Sequence, residues 1–153
     1  MALAVLAGSA VAGAQAPRPA SPPAAASPAI AIDQLMVDKL VWSIVVALDQ
    51  ANRTGNYSVI RDLAAPTFQS NNSAATLAGI FEPFRSRHID LSNAVIVSPV
   101  YGQRPVVSGG TLRAKGIFPL RPNPIGFDLL FQSVSGEWRL LGISVVPLVA
   151  AKR

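Results

Sequence analysis

The chain has no cysteine. That removes disulfide frameworks, thiolate zinc sites, thiol nucleophiles and a lipoprotein-type cysteine anchor together. Charge is also scarce. Only 14% of the 153 residues are charged, and the formal +5 rests mostly on scattered arginines, with small groupings at Arg85/Arg87, Arg113/Lys115 and Lys152/Arg153. Nucleic-acid binding draws on a continuous basic face, which no run here approaches, so no nucleic-acid partner is expected. The sole histidine, His88, is flanked by arginine, whereas a catalytic zinc takes about three protein ligands. No metal and no cofactor are expected. No serine stands in a Gly-x-Ser-x-Gly elbow, and no phosphate-binding glycine motif occurs. What remains is half hydrophobic, enough for a folded core, and the length suits one domain plus an extension.

The extension is at the N-terminus. Residues 1–16 are apolar and end in small residues, the pattern of a secretory h-region followed by an A-x-A cleavage site. Ala12-Gly13-Ala14 supplies that site, with Ala14-Gln15-Ala16 as a second candidate that would leave Pro17 at the new terminus. The positively charged n-region is missing, so either the true start lies upstream or the stretch is not a signal. A transmembrane span takes roughly 20 apolar residues, and Pro17-Arg18-Pro19 interrupts too early; none is expected in the mature chain. The expected location is periplasmic or secreted. Residues 17–31 hold five prolines among alanines and serines, which predicts an extended, semi-rigid, disordered tether. The folded domain is expected over 32–148, with 149–153 as a basic tail. No internal repeat is present.

The first half of that domain reads as three helices. Val37, Val41, Ile44 and Leu48 share one helical face, Asp33 stands at the N-cap position, and Gly55 suits a left-handed C-cap. Trp42 and Val46 lie off this stripe, so the helix is expected to touch the sheet on one side and a helix on the other. Asn56 can cap a second helix, Tyr57 to Ala64, stopped by Pro66. Ser73 caps a third, with Leu77, Ile80, Phe81 and Phe84 as its buried edge; Pro83 either kinks it or opens a separate final turn.

The second half reads as four strands. Ala94 to Tyr101 carries Val95, Ile96, Val97 and Val100. Gly109 to Phe118 alternates, with Leu112, Ala114, Gly116 and Phe118 on one face and Thr111, Arg113, Lys115 and Ile117 on the other. Arg121-Pro122-Asn123-Pro124 is a loop. Ile125 to Val134 sets Phe127, Leu129 and Phe131 opposite Asp128, Leu130 and Gln132. Ser135-Gly136 turns tightly into Glu137 to Val146. Helices followed by hairpin-linked strands predict an α+β domain, three N-terminal helices packed on a curved four-stranded antiparallel sheet.

This order, ending in Gly136-x-Trp138-Arg139-Leu140-x-x-Ile143, resembles the NTF2-like superfamily (SnoaL/ketosteroid isomerase, cystatin-like cone). Leu48-Asp49-Gln50-Ala51-Asn52-x-x-Gly55-x-Tyr57, the Pro66/Phe68 turn and the Trp138 strand carry the likeness over residues 33–147, and the chain is most similar to uncharacterised exported bacterial members. The resemblance implies a cone-shaped sheet around a cavity and a homodimer through the sheet.

Isomerase-type relatives use an inward carboxylate base opposite tyrosine or acid donors in an apolar pocket. Asp128 is the one strand carboxylate outside a turn, which makes it the catalytic candidate, a weak one. It lies opposite the Phe127/Leu129/Phe131 stripe with Arg113 or Lys115 available across the strand, the setting of a half-exposed ion pair. His88 reads as a solvated helix end, and Asp90 as a residue fixing the loop that follows. Tyr57, Phe81, Phe84, Phe118, Phe127 and Phe131 are the candidate ligand-binding residues; with Phe68 and Tyr101 they fit ordinary core equally well. Two functions follow. One is an exported non-enzymatic module that binds a small apolar ligand in its cone or a protein partner through its sheet. The other is a metal-independent SnoaL/isomerase-type enzyme. An uncleaved leader would instead place the domain in a membrane-tethered envelope complex. An enzyme needs an inward acid or base with a donor across from it, whereas a binding module can be lined with apolar groups alone.

Overall fold

The computed structural model describes residues 30–148; the leader, most of the tether and the basic tail lie outside that range. An α+β layer arrangement is observed, with helices first and antiparallel strands after them. A short strand β1 (Ile30–Ala31) precedes helix α1 (Gln34–Thr54), followed by α2 (Ser58–Asp62), α3 (Pro66–Asn71), α4 (Ala74–Ile80) and α5 (Glu82–Ser86). After a 3₁₀ turn at Ser92–Ile96 come β2 (Val100–Tyr101), β3 (Val106–Ser108), β4 (Thr111–Phe118), β5 (Ile125–Val134) and β6 (Glu137–Pro147).

Helix α1 forms where its stripe predicts. Asp33 accepts the Leu35 N–H at 3.4 Å, and Gly55 closes the helix at φ 75°, a conformation that costs glycine little. Asn56 accepts the Ser58 N–H at 3.0 Å, although Tyr57 occupies the N-cap position of α2. Pro66 does stop the preceding segment, but it also opens α3, because a proline at the first helical position removes only an N–H that has no intrahelical partner. Pro83 stands in the first turn of α5 in the same way. The three expected helices are therefore five among the described residues, cut at prolines.

Strands β3 to β6 pair in chain order, β1 pairs with β3, and β2 pairs with β4 beside β3. The sheet thus has six strands, five of them after the helices, and is not strongly curled; the expected count was four, in a cone. One bulge bends it locally. Leu130 faces Gly142 and Phe131 faces Leu140, leaving Leu141 as the extra residue. Ser135 (φ 52°) and Gly136 (φ 83°) both take positive φ, the type I′ geometry that matches strand twist in a two-residue hairpin.

The largest departure is at Ala94 to Tyr101. β-branched Val95 and Ile96 favour a strand, yet Ser92–Ile96 winds as a 3₁₀ turn and leaves Ile96 79% exposed. Two long-range bonds hold it there: Trp42 Nε1 donates to the Ala94 carbonyl at 3.0 Å, and the Leu91 N–H donates to Asp49 at 3.2 Å. Tertiary anchoring outweighs local propensity, and only Val100–Tyr101 joins the sheet. Ile80, expected on a buried edge, is exposed, because α4 ends at that residue.

One face of the sheet is buried. Leu112, Ala114, Phe118, Phe127, Leu129, Phe131 and Leu140 form one cluster with Val37, Val41, Ile44, Val45 and Leu48 of α1. Removing a side chain of this size from water contributes about 1.5–3 kcal/mol. Polar ties fix the helical layer over it. The Tyr101 hydroxyl donates to Asp38 of α1 at 2.6 Å, and Ala64 bridges to Leu140, with the Ala65 N–H donating to its carbonyl at 2.7 Å. Burial, reinforced by Asp38, pushes the Tyr101 phenol well above its usual range.

Candidate binding sites

Asp128 sits on the open face of β5. Arg113 donates to it through Nε and Nη2 at 2.8 and 2.5 Å, and Lys115 Nζ stands 4.0 Å away. The fork–fork geometry is a bidentate guanidinium–carboxylate pair. Its hydrogen bonds, ahead of the added charge of Arg113 and Lys115, hold the Asp128 carboxyl below the ordinary carboxylate range. A lowered native pKa stabilises the fold above the unfolded value near 3.8, and this contribution is lost as pH falls through the native value. Asp128→Asn is therefore expected to lower the melting temperature at pH 7 by at most about 4 °C, as suits a solvent-screened pair. Once the pH has fallen below the native value the two melting curves should converge as the carboxyl protonates, a comparison that circular dichroism at neutral and strongly acidic pH makes directly.

The candidate aromatics lie in the core, in separate groups. Tyr57 stacks on Phe81 at 6.0 Å, and Phe81 meets Phe84 edge-on at 6.0 Å beneath the end of α1. Phe118 and Phe127 approach to 5.2 Å on the sheet, with Tyr101 edge-on to Phe127 at 5.8 Å. Phe131 is buried among the sheet residues. Asp49 is the one buried charged residue among those described.

Asp49 belongs to a polar cleft of about 310 Å³ between the last turns of α1 and α5, lined also by Asn52, Arg53, Phe84, Arg85, His88, Ile89 and Asp90. Asp49, Asn52 and Arg53 share a helical face at i, i+3, i+4 spacing. Arg53 bridges both acids, with Nε 3.0 Å from Asp49 and Nη2 3.5 Å from Asp90. Hydrogen bonding by Ser92, then Arg53, holds the Asp90 carboxyl below its usual range. On the other wall, Tyr57 Oη donates to Asn52 Oδ1 at 2.6 Å and accepts from Arg85 Nη1 at 2.6 Å. Asn52 Nδ2 is buried with no partner. His88 adopts φ 49°, a left-handed conformation uncommon outside glycine.

Further concavities border the fold among the described residues. An apolar groove of about 630 Å³ runs between α1 and α2, lined by Trp42, Val46, Ala51, Val59 and Leu63, the side of α1 that the off-stripe residues mark. A second, of about 590 Å³, lies on the open sheet face where residues 102–105 bulge between β2 and β3; Val100, Arg104, Val106, Arg113, Lys115 and Ile117 line it. A third lies between the loops at 87–93 and 120–124. Among the described residues no group of three or more histidine, cysteine or carboxylate side chains is placed to hold a metal, and no helix is long and apolar enough to cross a membrane.

The cleft is a candidate that sequence reasoning missed. Its signal was present in the Asp49/Asn52/Arg53 spacing, but Arg85 and His88 join it only through the return of α5 against α1. Comparison with family models, curated proteins and solved structures finds no match to this chain, so the NTF2-like resemblance rests on its motifs and element order.

Proposed function

We propose that the domain is an exported, non-catalytic, NTF2-like module that pairs with another protein through the open face of its sheet. The distribution of polarity carries this reading. On the face beneath α1, the sheet offers Leu112, Ala114, Phe118, Phe127, Leu129 and Phe131. Among the described residues the carboxylate that meets a tyrosine hydroxyl on that side, Asp38 with Tyr101, ties α1 to β2 instead of standing free as the base an isomerase-type reaction would need. The opposite face leaves Val100, Ile117 and Val146 exposed, and strand register sets them in one row across the sheet through Gly126. Beside this row, Arg104, Arg113 and Lys115 outnumber Asp128. An apolar row with surplus positive charge is complementary to a partner that surrounds its own apolar patch with acidic residues. Export is supported by the apolar leader and its A-x-A sites.

Native mass spectrometry of the protein from its own host tests the proposal. The expected spectrum contains a complex with a second protein, abolished by joint Ile117→Asp and Val146→Asp substitution while circular dichroism remains unchanged. A complex that survives both substitutions, or an empty monomer, contradicts the reading. Two copies of this chain would identify the partner as a homodimer mate; a small molecule in place of a protein would favour the apolar α1–α2 groove.

A further inference from the structure

We propose that the cleft between α1 and α5 is a binding site for a small monocarboxylate with an apolar body, anchored by Arg85. The starting observation is an unbalanced charge. Among the described residues no carboxylate lies within salt-bridge distance of Arg85, whereas Arg53, Arg61, Arg113 and Arg139 each have an acidic partner. Arg87, Arg104 and Arg121 also lack one but are exposed, whereas Arg85 is half-buried. Withdrawing a guanidinium from water without a counter-charge is unfavourable. Its position is nevertheless fixed, by the bond to Tyr57 Oη and by an approach of 5.4 Å to the Tyr57 ring centroid. That leaves the rest of a planar five-donor fork uncommitted, the geometry that matches a carboxylate.

A second, independent observation lies beside it. Asn52 Nδ2 is a buried donor with no acceptor, and such orphans call for an explanation. Asn52 and Arg85 are joined through the Tyr57 hydroxyl, so an anion held by Arg85 acts on the same hydrogen-bonded chain that ends at the orphan amide. The cleft's size, about 310 Å³, is at the lower end for ligand pockets. Phe84 and Ile89 add apolar wall to it, which favours a body such as a short acyl chain or a single ring. Asp49 and Asp90 also face the cleft, and Arg53 binds both. Their negative charge disfavours a dianion and selects one delocalised charge over a phosphate. His88, whose backbone is in the left-handed region, stands on the rim. This site is independent of the sheet face and does not require that a partner bind there.

Titration of ¹⁵N-labelled full-length protein with benzoate, followed by heteronuclear NMR, tests the inference. The expected result is saturable binding, on the order of millimolar for so small a ligand, with shifts concentrated at the Asn52 side-chain amide and Arg85 Nε–H. Arg85→Gln should weaken binding about tenfold or more. Arg85→Lys, which keeps the charge and loses the fork, should weaken it measurably while preserving the dispersion of the spectrum. Benzamide and inorganic phosphate serve as the neutral and dianionic controls and should bind far more weakly. Equal binding of benzamide would reduce the cleft to an apolar slot, and equal binding of phosphate would reduce it to a surface cation; either overturns the proposal. So would shifts that do not saturate, or that persist unchanged in a folded Arg85→Gln protein.

Discussion

Valine in place of Gly116 is expected to destabilise the domain by about 3 kcal/mol or more, at the upper end for overpacking. Gly116 pairs with Tyr101 on one side and Phe127 on the other. A Cβ at this position would strike the Val100 carbonyl oxygen and stand 2.9 Å from Phe127 Cζ. The obstacle is backbone on one side and a buried ring on the other, so neither can withdraw cheaply. Gly79 is the control. It lies inside α4, with open space where an added methyl group would stand, so Gly79→Ala should stabilise by about 0.5–1 kcal/mol through helix propensity. Urea denaturation of the two variants beside the parent measures both effects. Equal stability of Gly116→Val and the parent would mean that β2 does not close against β4 as described.

A loss of about 3–5 kcal/mol is expected for Phe131→Ala, the usual range for removing a buried aromatic. Phe131 is 1% exposed and shares its cluster with Leu48 of α1 and Leu112 of β4. Such a loss approaches the whole stability of many domains, so the variant should be largely unfolded near physiological temperature. Ile96→Ala, by contrast, should change stability by no more than about 0.5 kcal/mol, since its side chain meets solvent. The pair of measurements separates two folds. Were residues 94–101 a full strand over the core, truncating its apolar positions would be costly; in a 3₁₀ turn held through Trp42 and Asp49 it is not. Denaturant midpoints for both variants decide between them.

These contrasts also show what was readable from residue order. α1 was legible because Val37, Val41, Ile44 and Leu48 repeat at helical spacing between Asp33 and Gly55. β4 and β5 were legible because Leu112/Ala114 and Phe127/Leu129/Phe131 alternate and are buried on one face. That alternation offered Arg113 or Lys115 to Asp128; the register sets Lys115 directly opposite, yet the bidentate pair forms with Arg113 on the diagonal. Short elements resisted. α3 was hidden because Pro66 ends one segment and starts the next, two roles that a single sequence position does not distinguish. The turn at Ser92–Ile96 was hidden because its cause lies in Trp42 and Asp49, far back in the chain. The polar cleft combines both difficulties: one wall is an i, i+3, i+4 face of α1, and the other arrives from α5, with Arg85 and Tyr57 28 positions apart.

Function, as proposed, depends on a sheet with one face covered and the other presented. The most direct test is paramagnetic solvent relaxation of methyl NMR signals from the monomer, using a soluble, uncharged gadolinium chelate. The structure predicts strong broadening at Val100, Ile117 and Val146 and little at Leu112, Leu129 and Leu140, in line with their exposure. Broadening of Leu112 and Leu129 comparable to that of Ile117 would show the helices failing to cover the sheet, and the proposed division between core and recognition face would fall with it.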